Sequence, residues 1–194
     1  MQKGKQMPKY LDMEVSLIGI KPKIWRRFLI QSTASFQHLH SAIQVACGWW
    51  DYHLFEFQEK PRGRPIARAD YEEPWDEKPA PVAKRVKLSS YFRQRGDTCI
   101  YIYDFGDDWH HLVTLKEIVE LPEKFRRRLL DGARSFPRED CGGVWGYGSC
   151  LKALGILEPE KDDDREDLAQ RKDWLGDWHP EAFELAEVKS CFDR

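Results

Sequence analysis

Residues able to hold a metal or move a proton crowd one short stretch, where Asp104, Asp107, Asp108, His110 and His111 follow one another closely. Carboxylate oxygens and imidazole nitrogens together suit a divalent cation. Alternation along a strand puts Asp108 and His110 on one face and Trp109 and His111 on the other. The same aspartates, flanking Gly106, can equally serve a turn by bonding to nearby amides. A second group is Glu139-Asp140-Cys141-Gly142-Gly143. Its glycines can let the backbone approach a ligand, and the helix start beyond them can offer amides to an anion. Alternatively, Asp140 and the glycines shape a tight turn, Glu139 is solvated and Cys141 is a small buried hydrophobe. The catalytic candidates are therefore Asp104, Asp107, Asp108, His110, Glu139 and Asp140. With His40 and His53, which a helix and a strand can bring alongside, the metal candidates are His40, His53, Asp104, Asp108 and His110. Buried imidazoles bonded to backbone or carboxylate remain the competing reading for both histidines. No cofactor is required by the sequence, and a divalent metal is compatible with it.

Aromatic and basic residues interleave at Trp25-Arg26-Arg27, near Trp49 and Trp50, and at Trp109. Such groups can stack on bases and grip phosphates, or pack a core while strand arginines pair with acids across a sheet. Arg126, Arg127 and Arg128 are consecutive and cannot share one face, so one of them points to solvent or to a partner. Arg26, Arg27, Trp109, Arg126, Arg127 and Arg128 form the candidate binding set. Lys and Arg total 31 against 33 Asp and Glu, a formal charge of −2, so the global basic excess that phosphate backbones favour is missing. P-loop, dinucleotide-fold, zincin and nucleophile-elbow motifs are absent from the sequence.

The elements that must position these residues read as strands first and helices later, which predicts an α+β fold. Leu11, Met13, Val15 and Leu17 alternate as a half-buried strand does, and Ile24 to Ile30 resumes an extended pattern after Lys21-Pro22-Lys23, so a hairpin is expected. Ser35 and its neighbours can cap a helix carrying Phe36, Leu39 and Ile43 inward and ending at Gly48. Tyr52 to Gln58 reads as a third strand. A Pro-rich, charged stretch at about 59–83 reads as a long surface loop, followed by a short helix or turn at Leu88 to Phe92. Thr98 to Asp104 and Asp108 to Leu115 form the clearest hairpin, with Gly106 suited to a type II′ turn. Asp131-Gly132 suggests another hairpin, with a helix over Pro122 to Leu130 as the alternative. Trp145 to Leu154 predicts a helix, an acidic segment spans Glu158 to Asp167, and Pro180 suits the first position of a last helix carrying Phe183, Val188 and Cys191 inward. The expectation is a single domain over 1–194: a largely antiparallel sheet built from hairpins, helices packed on it, and a helical C-terminal third. Its 194 residues, 41% of them hydrophobic, can bury about two-thirds of the unfolded surface.

Scattered, odd-numbered cysteines, five in all, fit a reducing compartment. No run approaches the roughly 18 apolar residues of a membrane span, nor does a signal-peptide apolar stretch follow the first residues. A cytoplasmic location and no membrane partner are expected.

Five motifs, taken in order, resemble a known family: Lys23-Ile24-Trp25-Arg26-Arg27; Leu39 to Gln44 leading to Gly48-Trp49; His53-Leu54-Phe55-Glu56-Phe57; Tyr103 to His111; and Glu139 to Tyr147. They are similar to the plasmid pRi open-reading-frame-three-like family, whose members are often labelled passenger TnpR proteins of insertion elements. The resemblance runs from about Leu11 to Phe192 and implies an α+β domain with a largely antiparallel sheet, no assigned activity, and a link to plasmids or mobile elements. Pro137-Arg138 departs from the family's Pro-Pro. A serine resolvase needs a nucleophilic serine within an arginine cluster and a basic tail on the DNA; no serine here has that neighbourhood, and the last third is acidic. The reading is a non-enzymatic binding or accessory module for protein or nucleic acid. The alternative is a small metal-dependent phosphoester hydrolase using the Asp/His cluster.

Overall fold

A computed structural model describes residues 7–71 and 80–193. Seven strands form one sheet in the order β4-β3-β5-β6-β1-β2-β7, and every pairing is antiparallel. The strands are β1 Lys9–Leu17, β2 Trp25–Gln31, β3 Phe55–Gln58, β4 Pro65–Arg68, β5 Thr98–Tyr103, β6 Trp109–Glu120 and β7 Arg127–Ala133. The helices are α1 Phe36–Cys47, α2 Leu88–Tyr91, α3 Gly143–Ala153, α4 Arg165–Leu175 and α5 Leu185–Phe192. This is the α+β architecture that the order of strand-like and helix-like segments predicts.

Cross-strand pairing explains the core. Phe55 lies opposite Tyr103 and Tyr103 opposite Trp109, while Phe57, Tyr101 and His111 make the next row. These rows are buried, and directly opposed side chains share a face. Against them α1 packs Phe36, Leu39, His40, Ile43 and Gln44; the Gln44 amide donates to the Tyr101 hydroxyl at 2.9 Å.

Several local expectations need correction. The Pro-rich stretch is not wholly loop: Pro65–Arg68 pairs with β3 as the sheet's outer strand, a place where a proline's missing N–H costs no ladder bond. A 3₁₀ turn covers Ala83–Arg85, and the prolines and acids at 72–79 lie outside the described residues. Asp131-Gly132 turns no hairpin and the Pro122–Leu130 helix does not form. Both residues lie inside β7, which pairs with β2 through a register shift beside Arg27 and Phe28. The β5–β6 connection is not a type II′ turn, since the positive φ angles fall on Asp104 (56°) and Asp108 (53°) rather than Gly106. The last helix starts at Leu185, beyond Pro180, and buries Phe192 while Cys191 stays exposed.

Candidate cation site and its aromatic cleft

Three segments meet where β5 leaves the sheet. Because Phe55 opposes Tyr103 in antiparallel register, the residues just before β3 lie beside those just after β5. The Asp104 amide continues the ladder by donating to the Leu54 carbonyl at 3.0 Å, which sets His53 next to Asp104. The third segment is the turn before α3. Its Gly142 amide donates to Asp107 Oδ2 at 2.9 Å. Gly143, at φ +67°, lies so close to the hairpin tip that a Cβ would stand 2.3 Å from the Asp107 carbonyl oxygen. Docking of tip on turn delivers Asp140 to the same place.

His53 Nε2 lies 2.7 Å from Asp140 Oδ1 and 3.6 Å from Asp104 Oδ2. One ligand atom from each residue falls within 4.8 Å of the other two. The Gly106 amide occupies Asp104 Oδ1 at 3.0 Å, leaving Oδ2 to face the histidine. Asp104 is buried and Asp140 exposed, so the cluster opens to solvent on one side. Both aspartates hold left-handed backbone, at φ 56° and 64°, a conformation that costs of order 1 kcal/mol each and persists only where surrounding contacts impose it.

Neighbouring groups brace the cluster. Glu139 accepts the Trp50 amide at 2.7 Å and the Tyr103 hydroxyl. Burial, then that bond to Glu139, pushes the Tyr103 phenol well above its ordinary range and keeps it a donor. The same hydroxyl accepts the His53 amide at 3.3 Å. His40 is fully buried and stacks 3.7 Å from Phe55. Its nitrogens lie 2.8 Å from the Tyr101 hydroxyl and 2.7 Å from Asp51. It anchors the 48–53 loop and stands outside the cluster, as buried imidazoles bonded to a carboxylate do.

That anchored loop alternates. Trp49 turns inward and donates its indole N–H to the Pro137 carbonyl at 2.8 Å, and Asp51 reaches back to His40. Trp50 and Tyr52 consequently face out, 75% and 73% exposed. They border a cleft of about 440 Å³ lined also by Arg138, Glu139, Asp140, Trp174 and Trp178. Arg138 lies 4.8 Å over Trp174 and donates through Nη1 to the Trp174 and Leu175 carbonyls. It thus caps α4 and fastens that helix as a cleft wall.

The remaining candidates are placed elsewhere. Asp107 is committed to the Gly142 amide, and Asp108 and His110 pair with each other at 2.8 Å on the surface. Trp109 is 1% exposed and Arg26 3%, so neither belongs to a binding surface. Arg26 donates to the Ala46, Trp25 and Ala133 carbonyls, and burial lowers it to about 10. Arg27 forks onto Asp12 at 2.9 and 2.7 Å. Arg127 donates to the Phe192 and Ser41 carbonyls. Arg128 pairs with Glu123 at 2.5 Å over the Phe125 ring. Arg126 is exposed beside a hollow lined by Gln31, Thr33 and His38. Tyr52, Trp174 and Tyr103 are not among the candidate site residues of the sequence, since nothing in an isolated aromatic residue says whether it faces a core or a cleft.

A seven-stranded antiparallel sheet with α1 on one face and a histidine–aspartate cluster at one end defines an α+β domain. Residues 9–187 match the plasmid pRiA4b ORF-3-like protein family, and the chain belongs to that family. It is 30% identical over 184 residues to the uncharacterized protein y4hQ of Sinorhizobium fredii, spanning 93% of this chain and 89% of that protein. The crystal structure of a protein of unknown function, MM3350 from Methanosarcina mazei Go1, is similar with a TM-score of 0.78 and 34% identity, over 94% of this chain and 97% of the other. Among the described residues no helix is long and apolar enough to cross a membrane.

Proposed function

We propose that the protein is a binding module organised round one divalent cation, held by His53 Nε2, Asp104 Oδ2 and Asp140 Oδ1. The observation that carries this reading is the approach of those three donors, from three separate segments, to within 4.8 Å of one another. One imidazole and two carboxylates suit first-row divalent ions such as Mn²⁺, Co²⁺ or Zn²⁺. Three protein donors leave coordination positions open, and Asp140 also lines the cleft, so a bound ion can take a ligand group from that side. Two-metal phosphoester hydrolysis would need further convergent carboxylates. The nearby ones are engaged: Asp107 with the Gly142 amide, Glu139 with Trp50 and Tyr103, Asp108 with His110.

Titration of the full chain with Co²⁺, followed by calorimetry and visible absorption, tests the site. One ion per chain is expected. His53→Ala, Asp104→Asn and Asp140→Asn are each expected to weaken binding about tenfold or more. Absent binding, or binding unchanged in all three variants, contradicts the proposal.

A further inference from the structure

Resting on the cation reading above, we infer that the cleft takes a mononucleotide, with its phosphate on the cation's open positions and its base stacked on the exposed aromatic rings. Trp50 and Tyr52 are the central observation. They are large, 75% and 73% exposed, yet their loop is immobilised by Gly48 capping α1, Trp49 bonded to Pro137, the Trp50 amide on Glu139 and Asp51 on His40. Aromatic surface held outward on a fixed loop stays available to a ligand without an ordering cost. Planar bases stack on such rings whatever their sequence. A phosphate is the oxyanion that best complements a cation with open positions, and a cleft of about 440 Å³ is of the size that holds a small ligand.

Charge limits the ligand to one nucleotide. Past Asp140 a smaller hollow is lined by Asp167, Gln170, Arg171 and Trp174, and Asp167 stands with Glu166 in the acidic first turn of α4. Further phosphates of a strand would run against these carboxylates, whereas chains that track nucleic-acid backbones present a basic groove.

The test titrates the full chain, with one equivalent of Mn²⁺, with adenosine monophosphate while tryptophan fluorescence is read. Adenosine, ribose 5-phosphate and a single-stranded 12-mer serve as comparison ligands. Saturable quenching by the nucleotide is expected, about tenfold or more weaker for adenosine and for ribose phosphate, and abolished by chelator. Trp50→Ala and Tyr52→Ala, made separately because both side chains are exposed and followed by calorimetry because the first removes a fluorophore, are each expected to weaken nucleotide binding severalfold while Co²⁺ affinity stays unchanged. Intact Co²⁺ binding without nucleotide binding overturns this inference and leaves the cation reading standing; loss of both overturns both. Tighter binding of the 12-mer overturns the restriction to one nucleotide. Chelator-insensitive quenching overturns the role of the cation.

Discussion

At the scale of single residues, His111 shows how burial sets chemistry in this protein. Its Nδ1 lies 3.3 Å from the Tyr101 carbonyl oxygen, its Nε2 has no partner among the described residues, and it is fully buried. Burial outweighs its backbone hydrogen bonds and pushes it down from 6.5 to about 3. The folded chain therefore keeps His111 neutral while the unfolded chain protonates it below about 6.5, so stability falls as pH drops through that window. The slope from this one group is about 1.4 kcal/mol per pH unit. Urea unfolding at pH 6 and pH 4.5 should show the parent chain losing stability more steeply than His111→Gln by about that slope; identical slopes would contradict it. His53, Asp104 and Asp140 stand out in the sequence by type, but so do His40, Asp107, Asp108 and His110. Which donors meet depends on tertiary contacts: the β3–β5 register, the amide that claims Asp107, and the stacking that buries His40.

At the scale of elements, the contact between the β5–β6 tip and the start of α3 fixes Asp140. The turn before α3 is itself packed most tightly at Gly146, since a Cβ there would lie 1.8 Å from the Cys141 carbonyl oxygen, a backbone atom unable to rotate away. Gly146→Ala should cost about 2 kcal/mol or more through overpacking and weaken Co²⁺ binding by shifting the Asp140 turn. Gly148, in the same helix, has nothing within 4 Å of its Cβ position, so Gly148→Ala should be neutral or stabilise by up to about 1 kcal/mol. Denaturation midpoints for the pair check this, and equal midpoints would refute it. Alternation in β1 and the apolar spacing of α1 are legible in the sequence because each buries one face locally. β7 is not, because Asp131-Gly132 has the composition of a turn. Gly132 is used instead for closeness: a Cβ there would meet the Arg26 side chain at 2.7 Å, Phe183 at 2.8 Å and the Trp25 carbonyl at 2.9 Å.

At the scale of the whole molecule, the antiparallel sheet supplies a rigid edge, and long-range contacts turn loose loops into a cleft. Asp140 reaches His53 only because Trp49 holds Pro137, Tyr103 holds Glu139, and Arg138 ties the 137–140 segment to α4. None of these pairings follows from periodicity, which is why the sheet is more legible in the sequence than the site. Near-balance of charge likewise foretells no phosphate-tracking groove, and the cleft borders carboxylates. The most direct test of the cation site is a crystal of the full chain grown with Mn²⁺, measured for anomalous scattering. One peak bonded to His53 Nε2, Asp104 Oδ2 and Asp140 Oδ1 at about 2.1 to 2.3 Å is expected. A map with no peak at these three side chains, or with Mn²⁺ held by other residues alone, would contradict it.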